Sequence, residues 1–245
     1  MTALAVAPRS AIRLVTQTEK RTFMSSNGTL ACCSFLQEQP DFLKEAVTGG
    51  LVLQEEMILS WHLEYDWESP VWRHLWRGLA RENTLIRYDA RGNGLSDWEV
   101  DDISLDAWVS DVETVVDAIG LERFPLLGIS QGSAISIAYA VRHPERVSHL
   151  ILYGGFALGA NKCSGADKAQ RQAMVTLMRL GWGLDNSAVR QMFASMFIPE
   201  GTKEQSDWFN KLHRKTTSPD WLAILTGRPI STFEIYCHES PHPLL

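Results

Sequence analysis

The sequence predicts an α/β fold, a parallel sheet with helices on both faces, and three observations carry that expectation. The 245 residues, 45% of them hydrophobic and without an internal repeat, suffice for one sizeable core and are short for two. Along the middle of the chain, apolar runs of strand length alternate with longer stretches of helical spacing, the pattern of parallel strands joined by crossover helices. Between one such strand and helix stands Gly128-Ile129-Ser130-Gln131-Gly132, a G-x-S-x-G pentapeptide.

Taken in order, Ile12-Arg13-Leu14-Val15-Thr16 is a candidate edge strand, and the text from Gln17 to about Leu53 is irregular. Residues 1–56 are therefore expected to be an irregular N-terminal region with possible edge strands. Residues 57–160 carry the α/β core. Within it Glu64 to Pro70 reads as a loop, and Val71 to Ala80 as a helix with Trp72, Leu75, Trp76 and Leu79 on one face. Thr84 to Asp89 is a buried strand, followed by the turn-rich Arg91-Gly92-Asn93-Gly94-Leu95-Ser96-Asp97. Leu105, Trp108, Val112, Val115, Val116 and Ile119 recur at helical intervals, and Gly120 closes that helix.

Phe124-Pro125-Leu126-Leu127 is the next short strand, and Ser133 to Val141 a helix rich in small residues that Pro144 stops. Val147 to Tyr153 follows as another strand, ending in Gly154-Gly155. Residues 161–219 differ in kind. Three helical patterns (Ala169 to Leu180, Ser187 to Met196, Lys203 to Arg214) are broken by Gly181-Trp182-Gly183 and Pro199-Glu200-Gly201, with no strand between them. A helical excursion after a sheet strand is expected to form a lid over the site. Residues 220–245 make a tail.

The pentapeptide is the chemically informative stretch. A sharp strand-to-helix turn crowds the positions beside the serine, so Gly128 and Gly132 avoid a clash by lacking side chains and Ser130 Oγ projects free of its neighbours. Ligands on parallel sheets bind beyond the carboxyl ends of the strands, where Ser130 is expected to lie. Ser130 is the candidate nucleophile.

Bulk properties narrow the partners. A net charge of -6 and a pI near 5.7 leave no basic stripe to neutralise phosphates, so a small neutral molecule is expected rather than nucleic acid. Cys32 and Cys33 are adjacent while Cys163 and Cys237 are isolated, which is neither a metal-ligand spacing nor a disulfide framework. No metal or other cofactor is expected, and the thiols are read as reduced in a cytoplasm. The apolar run Met1 to Ala7 is short for a secretory signal, and no window approaches the roughly 18 apolar residues of a membrane span. No membrane association is expected.

With these residues in view, the chain resembles the α/β-hydrolase superfamily. The resemblance rests on the elbow, on Asp89-Ala90-Arg91-Gly92-Asn93-Gly94-Leu95-Ser96 as a D-x-R-G-x-G-x-S turn, and on His143-Pro144-Glu145-Arg146-Val147. It covers about Met57 to Pro219. More narrowly, His62 to Trp76 and Arg87 to Asp97 are similar to hydrolase domains found alone or fused to regulators of the LuxR and adenylate-cyclase types. The resemblance implies a serine hydrolase, esterase-like, acting on a small acyl substrate. It further implies that an adjacent histidine activates Ser130 and an Asp or Glu orients that histidine, since a lone hydroxyl is almost wholly protonated at neutral pH.

The oxyanion would be held by the backbone N–H of Gln131 and by a second donor near Leu59-Ser60-Trp61, for which Trp61 is the candidate. His62 is a candidate for the pocket wall. Trp61, Trp67, Trp72, Trp182 and Met174 either shape an apolar pocket or belong to the core. Serine at the elbow disfavours haloalkane and epoxide substrates, whose covalent step uses a carboxylate.

The order implied by the resemblance is serine, acid, histidine, with the acid beyond the lid and the histidine after the last strand. About 28 residues follow Thr217, whereas two further strands and two helices need on the order of 60. The sheet is therefore expected to lack its last strands, and the chain its complete triad. His238 and His242 sit in turn-like text. His143 and His149 flank a helix-to-strand join at the opposite end of the sheet, Asp185 reads as a helix start, and Asp89 and Arg91 as braces for their own loop. Read one base earlier, permitted codons for Pro229 to Leu245 give D-I-D-V-R-D-L-L-P-R-V-T-T-P-T-L, similar to the family's approach to the acid-bearing strand. This reading has the chain leaving the ancestral frame between about Pro219 and Pro229. Two alternatives stand beside the enzyme: a non-catalytic binding or sensor domain, and a defective gene product.

Overall fold

The computed structural model describes the backbone of residues 12–16, 20–24, 30–36 and 50–56, all of residues 61–81, 84–155 and 188–217, and scattered positions from 169 to 182. The tail, with His238 and His242, lies outside the described residues, as do Asp185 and Met174. Among the described residues seven strands form one sheet: β1 (Ile12–Thr16), β2 (Lys20–Met24), β3 (Leu30–Leu36), β4 (Gly50–Glu56), β5 (Thr84–Asp89), β6 (Phe124–Ser130) and β7 (Val147–Tyr153). Their spatial order is β1-β2-β3-β5-β4-β6-β7. β5, β4, β6 and β7 run parallel, while β3 pairs antiparallel with β5.

This differs from the sequence expectation at one place that matters. The stretch from Gln17 to about Leu53 reads as irregular, yet it contains β2, β3 and the start of β4. β4 is no edge strand, because it sits between β5 and β6 in the middle of the sheet. Its apolar core is only Leu51-Val52-Leu53, and the polar Gln54-Glu55-Glu56 that completes it breaks the period on which strand recognition depends.

Helices cover both faces. On one, α3 (Leu105–Ala118) and α4 (Gly132–Arg142) bury Trp108, Val112, Val116, Ile135 and Tyr139 against Ile86, Tyr88, Phe124 and Leu126. On the other, α2 (Arg73–Ala80) brings Trp76, with Trp72, Leu75 and Leu79, onto Leu85, Leu127 and Ile129. The alternation along β5 and β6 supplies both cores, since successive side chains point to opposite faces. The helical stripe expected over Val71 to Ala80 is thus the face α2 buries.

Glu64 to Pro70, expected as a loop, contains the short helix α1 (Leu63–Trp67). Its start is held by reciprocal capping. Tyr65 N–H donates to His62 Nδ1 at 3.3 Å, and His62 N–H donates back to Asp66 Oδ2 at 2.7 Å. Histidine and aspartate perform here what Ser/Thr and Glu/Gln do in a capping box, so the residue types hid the signal. Beyond β7, α5 (Ala188–Phe197) and α6 (Lys203–Thr216) follow the second and third helical patterns, and Ala169, Ala173, Thr176, Leu177 and Leu180 are helical positions within the first. α6 begins with a full capping box between Thr202 and Gln205. No helix among the described residues is long and apolar enough to cross a membrane.

Candidate active site

β4 and β6 are the strands at which the order of the sheet reverses. From β4 the chain moves to β5 on one side, then returns past β4 to β6 on the other. A crevice opens at such a switch point, beyond the carboxyl ends of the strands. In register, Glu56 at the end of β4 lies opposite Ser130 at the end of β6. The turn that carries Ser130 therefore leaves the sheet beside the carboxyl end of β4.

Ser130 is half-buried and has φ 54, the one positive φ among the described non-glycine residues. For a residue with a side chain, that left-handed backbone is strained, and such strain persists only where the surroundings over-determine it. The surroundings do so here. A Cβ at Gly128 would stand 2.7 Å from the Gly132 carbonyl oxygen, 2.8 Å from Ser133 Cα and 2.6 Å from Ser136 Oγ. β6 and α4 meet too closely there for any residue but glycine. Ser133 Oγ also donates to the Gly128 carbonyl at 3.1 Å, which pins the first turn of α4 to the strand.

Gln131 caps α4. Its N–H is among the helix's N-terminal donors, which have no intrahelical acceptor and carry the positive end of the helix dipole. An oxygen that gains negative charge beside Ser130 would meet that end. Trp61, the other candidate donor, is buried at 4% exposure with its ring 5.0 Å from Trp72 and 5.2 Å from Trp76. Its side chain thus belongs to the core, as do those of Trp67 and Trp72, which pack on the same cluster. Trp182 is core as well, set against Phe193 and His213 in the helical region.

His62 caps α1, half-buried, with its pKa lowered chiefly by burial. The neutral imidazole suits the role, since Nδ1 must accept from Tyr65 N–H. His143 bonds Glu113 at 2.8 Å at the far end of α4. His149 pairs with Pro125, five residues before Ser130 along β6, hence roughly 16 Å down the strand. His213 is fully buried among Trp182, Phe193 and Phe209, and burial pushes its pKa down to about 3. Among the described residues, no histidine or carboxylate hydrogen-bonds the Ser130 hydroxyl.

Asp89 and Arg91 brace loops, and their partners exceed what the sequence signalled. Arg91 makes a bidentate ion pair with Asp111 of α3, at 2.8 and 2.7 Å, both groups buried. Burial raises the Asp111 pKa against the pull of the guanidinium. Asp89 accepts from Leu95 N–H in its own loop and from Leu63 N–H across the site. Asp111 and Leu63 could have been suspected only as a polar residue on an apolar helix stripe and a helix start, and neither signal names a partner. A groove of about 540 Å³ lined by Tyr65, Pro70, Lys203, Trp208 and Lys211 lies between α1 and α6, without Ser130 in its wall. Among the described residues, no three His, Cys, Asp or Glu side chains are placed to hold a metal ion.

Comparison with known proteins bears on this geometry. A family model described as alpha/beta hydrolase fold matches residues 58–189. The chain is 36% identical over 97 residues to 2-hydroxymuconate semialdehyde hydrolase of Pseudomonas sp. (strain CF600), covering 39% of this chain and 34% of that protein. It is 36% identical over 76 residues to proline iminopeptidase of Xylella fastidiosa (strain 9a5c), covering 30% and 24%. The matched part thus spans about a third or less of each curated relative. An esterase from Exiguobacterium antarcticum superposes with a TM-score of 0.62 at 19% identity, over 83% of this chain and 70% of the esterase; at that identity the likeness is one of fold.

Proposed function

The chain belongs to the alpha/beta hydrolase fold family, and on that premise we propose that it is a serine hydrolase acting on a small acyl substrate, with Ser130 as nucleophile. The observation that carries the reading is the backbone of Ser130, held at φ 54 between β6 and α4. In this reading Ser130 Oγ attacks the acyl carbon, and the oxyanion is received by the N–H groups of Gln131 and Trp61 from the neighbouring turns. An ester or a similar activated acyl group is the substrate class, because collapse of the tetrahedral adduct breaks the acyl C–O bond, the departing alkoxide takes up the serine proton and leaves as the alcohol, and water then hydrolyses the acyl-enzyme to the acid.

No activating histidine and acid are assigned to Ser130 among the described residues, and in this reading a chain without them has a weak rate. Oxyanion stabilisation and binding without a triad leave roughly 10³ to 10⁴-fold over water. A fluorophosphonate probe tests the reading, because it labels a serine only where the hydroxyl is activated. Slow labelling at Ser130, located by peptide mass spectrometry and abolished in Ser130→Ala, is the expected result. Small-molecule binding to the chain without labelling or ester turnover would favour a non-catalytic sensor domain, a reading that the Ser130 hydroxyl's lack of a described base keeps in view.

A further inference from the structure

Two neighbouring strands leave the sheet in the same way. Ile129 of β6 pairs with Tyr153 of β7, and the next residue of each chain segment is left-handed, Ser130 at φ 54 and Gly154 at φ 62. Past that bend, Gly155 reaches the start of α4. A Cβ at Gly155 would stand 2.7 Å from Ser133 Oγ and 2.8 Å from Ser133 Cβ, so the backbone after β7 lies directly against the Ser133 side chain. Ser133 also meets β6. Its Cα lies 2.8 Å from where a Cβ at Gly128 would be, and its Oγ donates to the Gly128 carbonyl at 3.1 Å. That bond runs from three residues after Ser130 to two residues before it, closing the turn into a ring. Ser133, at 2% exposure, is thus wedged between two backbones whose approach requires glycine.

We propose that Ser133 and Gly155 are positioning residues that hold the turn of Ser130 from two sides, an inference that rests on the Ser130 reading above. A left-handed residue with a side chain keeps that backbone only while its surroundings over-determine it. Relaxation of Ser130 would move the start of α4 relative to β6. The Ser133 hydroxyl resists that movement through its bond to Gly128, and Gly155 resists it by filling the space beside the same side chain. Rates are steep in position, since a misplacement of about 1 Å costs on the order of 100-fold. A wedge that fixes α4 against both backbones therefore fixes the attacking oxygen. The Gly154-Gly155 pair forms the outer wall of the elbow, its first glycine making the bend and its second the contact.

A double-mutant cycle on the full chain tests this, read as the rate of fluorophosphonate labelling at Ser130 and as kcat and KM for p-nitrophenyl acetate. Ser133→Ala removes the closing bond and keeps the Cβ. Labelling and kcat are expected to slow about 5-fold, the worth of one net hydrogen bond, with KM held within about 2-fold. Gly155→Ala forces a methyl group onto Ser133 and should slow both about 10- to 100-fold. In a Ser133→Gly background, where the side chain facing that methyl is gone, the same Gly155→Ala change should alter the rates by no more than about 2-fold. Ser195→Ala, which loses a serine-to-carbonyl bond on the exposed side of α5, should match the wild type. Equal effects of Gly155→Ala in the two backgrounds overturn the inference, as does an unchanged rate in folded Ser133→Ala. Thermal melts identify the folded variants. Where Gly155→Ala does not fold, Ser133→Ala decides, and failure of that variant to fold as well assigns the wedge a purely structural role and overturns the inference. Wild-type protein with neither turnover nor Ser130 labelling defeats the serine-hydrolase reading and this inference with it, whereas active wild type with unaffected or additive variants defeats this inference alone.

Discussion

β7 is a more apolar strand than β5 of the same sheet, yet β5 is the buried one of the two. On β5, Leu85, Ile86 and Tyr88 are at most 1% exposed, and even Arg87 is fully buried. On β7, Leu150, Ile151, Leu152 and Tyr153 are 39 to 61% exposed. β5 lies between β3 and β4, while β7 has β6 on one side and no strand on the other among the described residues. A strand's own residues thus set its ability to be buried, and its neighbours set whether it is. The same contrast extends to what surrounds the strands: the loop after β5 is tied down by the buried Asp89 and Arg91, whereas β7, the edge strand among the described residues, exposes apolar side chains, a template for association.

The largest expected effect breaks the buried side of this comparison. Asp111→Ala strands the Arg91 guanidinium in the core and should cost about 3–5 kcal/mol, read by urea denaturation. Leu85→Ala leaves a cavity under α2 and should cost about 2–5 kcal/mol, whereas Leu152→Ala on the exposed edge should change stability by about 0.5 kcal/mol or less. Equal costs for the two leucines would mean that a further element covers β7 in solution. The smallest change sharpens the contrast without touching stability: Ile151→Lys places a charge on the open edge and should lower aggregation in light scattering while leaving the melting temperature in place.

Acid tests the helical region in the same spirit. The His213 pKa is lowered to about 3 in the folded protein from an ordinary 6.5. The unfolded chain therefore binds a proton first as pH falls, so this contribution to stability is complete above about 6.5 and is lost progressively between there and about 3. Melting temperature measured from pH 7 to pH 4 should fall less steeply in His213→Gln than in the wild type. Identical slopes would show that the imidazole is not buried neutral.

Much of the fold was legible because its signals are local. The stripe of Trp72, Leu75, Trp76 and Leu79, the heptad-like run from Leu105 to Ile119 and the glycines of the elbow each state their structure within a dozen residues. β4 was not legible, since three apolar residues followed by Gln54-Glu55-Glu56 are held as a strand by β5 and β6 rather than by their own pattern. α1 escaped for a related reason, because its caps are a histidine and an aspartate. At the candidate site the division is the same. The two glycines, Ser130 and Gln131 stand in one pentapeptide, but the partners that hold the facing segment are 26 residues away from it for Leu63 and Asp89, and 20 apart for Arg91 and Asp111.

By itself the sequence determined the family, the alternation of strands and helices, and the serine placed at the strained turn, since each depends on periodicity or steric demand within one segment. Only the tertiary structure decided that β4 enters the centre of the sheet, that the Trp61 ring joins the core, that Asp66 and Asp89 hold the His62 and Leu63 N–H groups, and that β7 is an edge strand among the described residues. Those outcomes depend on which distant groups meet. Burial and charge pairing are properties of contacts between segments, and no segment carries them alone.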